Sequence, residues 1–172
     1  MNNTNTLKVT TPSDREIVMT RVFDAPRHLV FEALSKPELV KQWLLGPPGW
    51  TMPVCEVDLR VGGAYRFLWR GPDGAEMGSR GVFREVVPPE RFVATERFDD
   101  PWYPGEAVVT NALIEKNGKT TLTLTVLYES REARDGVLKT PMDKGVGMSY
   151  DRLEQLLASL GAPRLKKEAS ES

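Results

Sequence analysis

The stretch "KGVGMSYDRLEQLLASLGAP", residues 144–163, is where the chain changes period. Val146, Tyr150, Leu153, Leu157 and Leu160 succeed one another at spacings of four, three, four and three, which is one face of an amphipathic helix. Gly161 and Pro163 stand where such a helix stops, so the spacing predicts a long helix over 141–160. Residues 162–172 hold too little apolar content to fold and are expected to form a flexible polar tail.

Toward the N-terminus the period is two. Strands are expected at 51–59, 64–70, 76–87, 91–98, 106–116 and 119–129, joined by "RVGG", "GPDG", "PPE", "DDPWYPG" and "KNGK". Asn117-Gly118 is the strongest turn, because a two-residue hairpin needs positive φ at both positions. A first strand is expected at 15–23. Two short helices separate it from the others: "DAPRHLVFEALS", with Asp24 near the cap and Pro26 in the first turn, and "PELVKQWL", opened by Pro37 and ended by "GPPG". Residues 1–14 are expected to be partly flexible. The sum is one α+β domain over 15–161, with an antiparallel sheet of seven strands that can hide its apolar face only against the C-terminal helix.

Composition narrows the function. The 172 residues carry a net charge of −1 with Lys and Arg scattered, so nothing favours nucleic acid. No apolar run approaches the roughly 20 residues of a membrane span, and the first residues do not read as a signal peptide. Cys55 is the one cysteine; it suits a reducing, cytoplasmic setting and reads as a buried, inert thiol. His28 is the one histidine, so neither a multi-histidine metal site nor a serine or cysteine triad is on offer, and no metal or cofactor is expected. Gly62-Gly63 lacks the helix and lysine of a phosphate loop and reads as a strand turn or bulge.

"TRVFDAPRHLVFEALSKPELVKQWLLGPPGW", "VGGAYRFLWRGPDG", "GVFREVVPPERFV" and "SYDRLEQLLA" together resemble the SRPBCC, or START-like, helix-grip superfamily, in the branch of homologues of the activator of the heat-shock protein 90 ATPase. The resemblance runs from about residue 15 to about residue 160. It implies a curved seven-stranded sheet gripping the last helix, with a pocket between them that often holds a lipophilic ligand. It implies no single reaction, since members include lipid carriers, cyclases and chaperone activators. Where relatives often carry Trp early in the last helix, this chain has Val146 and Gly147, which should widen the space beside the sheet.

The strand pattern then suggests pocket walls. Tyr65, Phe67 and Trp69 share one strand face, and Arg66 and Arg70 the other. Met77 and Phe83 add apolar surface with a gap at Ser79 and Gly81. Trp50 is expected at the entrance and Trp43 as structural support. Trp50, Tyr65, Phe67, Trp69, Met77 and Phe83, with Phe98, Trp102, Tyr103, Met148, Tyr150 and Leu153, form the candidate ligand-binding set. Glu96, Asp99 and Asp100 are expected in a solvated loop, with a catalytic lid carboxylate as the alternative. Three classes remain open. A carrier or sensor for a small hydrophobic or aromatic molecule is preferred, because catalytic features are absent. A cyclase- or hydrolase-like enzyme would need a polar group deep in the cavity. A chaperone-associated module is weakened because the eukaryotic relatives carry a further N-terminal domain. Homodimerisation stays open.

Overall fold

The computed structural model describes residues 6–101 and 103–171, with side chains as far as 161. Its strands are β1 (Lys8–Thr10), β2 (Glu16–Phe23), β3 (Thr51–Val57), β4 (Ala64–Arg70), β5 (Glu76–Val87), β6 (Arg91–Phe98), β7 (Ala107–Lys116) and β8 (Lys119–Leu127). The helices are α1 (Arg27–Ser35), α2 (Pro37–Trp43), α3 (Arg131–Leu138) and α4 (Met142–Glu171). All eight strands join one antiparallel sheet in the order β1-β2-β8-β7-β6-β5-β4-β3. The hairpins lie side by side in chain order from β3 to β8, and β2 returns to pair with β8.

Among the described residues the sheet therefore has eight strands, where seven were expected. The additional one is β1, inside the segment read as partly flexible; Lys8, Val9 and Thr10 pair with Thr20, Met19 and Val18. Three exposed residues show no apolar alternation, so only the partner strand reveals them. The helix α3 was also unexpected. Ser130 caps it by accepting from the Ala133 N–H at 3.1 Å, and Ala133 and Val137 dock its buried face. The helix α4 runs on through Gly161 and Pro163, where a stop was expected. Within "APRLKKEASE" the Ala, Leu, Lys and Glu residues favour helix, and one proline removes a single backbone donor.

Other local expectations match. Asn117 and Gly118 both have positive φ, 55° and 78°. Pro37 opens α2 in its first turn. One departs: α1 begins at Arg27, so Pro26 is its cap and not part of its first turn, and Asp24 faces Lys119 at 3.3 Å.

The sheet's inner face is written in the alternation of β2, where Ile17, Met19, Arg21 and Phe23 are all buried. Phe23, Val30, Leu113, Leu122, Leu153 and Leu157 pack into one core under α4. A second cluster, with Ile17, Met19, Val126, Tyr128, Ala133 and Val137, sits at the α3 end. Arg21 is the one charged residue of the β2 inner face. Only 6% exposed, it donates to Asp151 at 2.7 Å and Glu154 at 2.8 Å, both on α4, and its guanidinium lies 5.2 Å from the Phe23 ring centre. The helix is thus held by leucines on one side of its turn and by a cation on the other.

The edges of the sheet are β1 and β3. Strand β3 contains Pro53, and its register against β4 shifts between Thr51 and Val54.

Candidate ligand cavity

Between α4 and the strands β3 to β8 lies a cavity of about 770 Å³. Six adjacent strands contribute to its wall, through Val57, Phe67, Phe83, Phe98, Val109 and Leu124, so the sheet must curl around it. The opposite wall is the first part of α4, with Met142, Gly145, Val146, Met148 and Ser149. The segment 44–50 closes one side.

That segment is irregular but tied. Trp69 Nε1 donates to the Leu44 carbonyl at 2.7 Å, the Gly46 N–H donates to Ser149 Oγ at 2.9 Å, and Arg152 donates to the Gly46 carbonyl at 2.6 Å. Gly46 and Gly49 have positive φ, as a chain turning twice in "LLGPPGW" requires. Trp43 is buried in the core, donates to the Ala33 carbonyl at 2.8 Å, and also presents a surface to the cavity. Trp50 is partly exposed at the cavity wall, its ring over Gly71, where a Cβ would come within 3.0 Å. Met77 and Met148 are 42% and 37% exposed and also line it, which puts the mouth beside them.

Of the twelve residues singled out from sequence, nine line this space: Trp50, Tyr65, Phe67, Trp69, Met77, Phe83, Phe98, Met148 and Tyr150. Leu153 does not, because it is wholly buried in the leucine core under the helix. Tyr103 does not either; it packs edge-on against Tyr128, ring centres 5.1 Å apart, and against Phe98. Trp102 lies outside the described residues.

The gap expected at Ser79 and Gly81 is filled. The Tyr65 ring lies over Gly81, where a Cβ would strike that ring and the Thr95 carbonyl, and the Tyr65 hydroxyl donates to the Thr95 carbonyl at 3.1 Å. The opening comes instead from α4. A Cβ at Gly145 would have nothing within 4 Å, and Gly145 and Val146 face the cavity, whereas Gly147 is not among the lining residues.

Polar groups are few and differ from those expected. Asp99 makes a two-pronged ion pair with Arg66 at 3.0 and 2.6 Å and does not line the cavity; neither does Asp100. The period of two explains this, since Arg66 and Arg97 belong to the outer face. Glu96, by contrast, is not in a loop. It is on β6, in phase with Phe92, Ala94 and Phe98, and it faces the cavity. Protein surrounds it except toward that space, and burial pushes its carboxyl up to about 7 against a hydrogen bond from the Tyr103 hydroxyl at 3.3 Å. Burial likewise holds the Tyr65, Tyr103, Tyr128 and Tyr150 phenols well above their ordinary range. The alternation of "RFVATERF" carried the signal for Glu96, and the acidic run after it concealed it.

Two other reactive groups stand apart from the cavity. Cys55, expected to be buried, is only partly so; that burial pushes its thiol up to about 11, and it lies outside the cavity. His28 is exposed on α1. Among the described residues no group of three or more His, Cys, Asp or Glu could hold a metal ion, and no helix is long and apolar enough to cross a membrane.

Known proteins share this architecture. The family model described as Activator of Hsp90 ATPase homolog 1-like protein matches residues 24–158. The crystal structure of a Rhodobacter sphaeroides protein is similar with a TM-score of 0.84 and 31% identity, over 89% of this chain and 98% of that one. A Nitrosomonas europaea protein is similar with 0.78 and 26%, over 88% and 99%. A Mycobacterium smegmatis protein is similar with 0.75 and 25%, over 87% and 97%. No curated protein gives a significant match.

Proposed function

The chain belongs to the Activator of Hsp90 ATPase homolog 1-like family, and on that premise we propose that it binds a small hydrophobic or aromatic molecule between sheet and helix, as a carrier or sensor. The observation that carries the reading is the cavity of about 770 Å³ walled by Phe67, Trp69, Phe83 and Phe98. Its size is within the roughly 300–1,000 Å³ usual for small-molecule sites, and its walls are of the apolar, aromatic kind such sites favour. A core of the same residues would close on itself, since interiors pack with few voids larger than a water molecule. Native mass spectrometry beside the denatured mass tests it, together with uptake of an uncharged lipophilic dye. A co-purified mass lost on denaturation, or dye bound by the folded protein, supports binding. A folded protein with neither removes the reading.

One observation favours a second reading, an enzyme of cyclase or hydrolase type. Glu96 is a carboxyl facing an apolar space and titrating at about 7, where a general acid or base is most useful. Turnover lost in Glu96→Gln with binding retained would decide for it. A chaperone-associated role would use the outer surface, and a cavity filled by mutation without effect on that role would identify it.

A further inference from the structure

Among the described residues that line the cavity, only two carry charge, Glu96 and Lys144. They are not equivalent. Lys144 is exposed in the first turns of α4, so its ammonium is hydrated. Glu96 is on the sheet side, with the Tyr103 hydroxyl as its hydrogen-bond partner and apolar side chains along its strand at Ala94 and Phe98. Asn111, the other polar group on this side of the wall, is uncharged and pairs in register with Phe92; Glu96 pairs with Ala107. The two are therefore four residues apart along the ladder, about 13 Å at the usual rise. The wall around Glu96 is thus apolar and holds a single carboxyl, and burial opposes ionisation of the Tyr65 and Tyr150 phenols that also line the cavity.

We propose that Glu96 selects the head group of the ligand: the cavity takes apolar molecules that carry a protonated nitrogen, and disfavours carboxylates of the same chain length. The inference rests on the cavity-binding reading above. An ammonium reaching Glu96 finds an acceptor that water does not fully solvate, and a charge-assisted hydrogen bond there is stronger than a neutral one. A carboxylate at the same depth places two anions side by side, or must be protonated to enter, and either cost lowers its affinity. A cation also needs little help from the protein, because a carboxyl that titrates near neutrality ionises at small cost when a positive charge approaches.

The test is displacement of Nile red, uncharged under the conditions used, by decylamine, decanol and decanoate at concentrations below micelle formation. These share one chain and differ in head group. Decylamine is expected to displace the dye at a concentration at least roughly ten-fold lower than decanoate, with decanol between them. In Glu96→Gln the amine and the acid should come within about three-fold of each other, each measured relative to decanol on the same folded variant. Should the amide variant fail to fold, Glu96→Leu serves the same purpose. If dye and decanol bind but the wild type treats the three head groups alike, or the preference survives in the folded variant, the head-group proposal is overturned and the cavity reading stands. If the folded wild type binds neither dye nor decanol, the cavity reading falls and takes the proposal with it.

Discussion

The helix α4 meets the sheet in two different ways along its length. At Leu153 and Leu157 it fills the space, both side chains buried against Phe23, Leu113 and Leu122. Two turns earlier, at Gly145 and Val146, it leaves the space open, with nothing within 4 Å of a Cβ added at Gly145. Sheet and helix are the same in both regions, so the difference lies in side-chain volume on one helix face. One end provides the stability with which the other end can stay empty.

Four experiments would break or sharpen that contrast. The largest effect belongs to the filled end. Leu153→Ala should destabilise by about 2–5 kcal/mol in a urea titration, whereas Gln155→Ala, at an exposed position on the same helix, should stay within about 0.5 kcal/mol. Equal small effects would mean the helix is not seated through its leucines.

Next comes the carboxyl of the open end. Its native pKa of about 7 stands above the ordinary 4.5, so the folded state holds this proton more tightly than the unfolded chain. That contribution is fully present below about pH 4.5 and is lost as pH rises through about 7. Stability of the wild type relative to Glu96→Gln should therefore fall across this window by on the order of 3 kcal/mol, read from denaturation midpoints at several pH values. A flat difference would place Glu96 in water.

A smaller loss is expected for Trp69→Phe. It keeps an aromatic wall but removes the hydrogen bond to the Leu44 carbonyl, at a cost of about 1 kcal/mol, and it should loosen the 44–50 segment enough to raise its amide hydrogen exchange. Arg70→Ala, whose partner is the exposed Glu76, should change neither.

The smallest change in stability, and the most pointed, is Gly145→Leu. A helix interior favours Leu over Gly by up to about 1 kcal/mol, so the variant should be slightly more stable while its side chain occupies the cavity and dye uptake drops. Undiminished uptake would place the binding space elsewhere.

These contrasts also explain what could be read from the sequence. The strands from β3 to β8 and the leucine face of α4 were legible because each carries its own period, and the Asn117-Gly118 turn fixes a register. Strand β1 and helix α3 were not. Three exposed residues have no period, and Ser130 with Ala133 and Val137 is too short a pattern to stand out from a loop. Within the cavity, the aromatic wall came from alternation on β4 and β5. Leu153 was misplaced because one helix face serves both regions, and sequence does not mark where along it the filling ends. Glu96 was misplaced because, although it falls within the strand expected at 91–98, it was grouped with the acidic run that follows it. The Tyr65 ring over Gly81 depends on two strands meeting in register, Tyr65 opposite Gly81, which no single segment contains.

The two edges of the sheet limit how copies of this protein can associate. An edge strand with free backbone groups is a template on which another chain can pair, and long flat edges lead to open-ended polymers. Here Pro53 removes a donor in the middle of β3, and the shift between Thr51 and Val54 bends its ladder. At the other end β1 offers three residues, too few for a stable added strand. Among the described residues, both margins are thus poor templates for an added strand, which disfavours fibre-like growth.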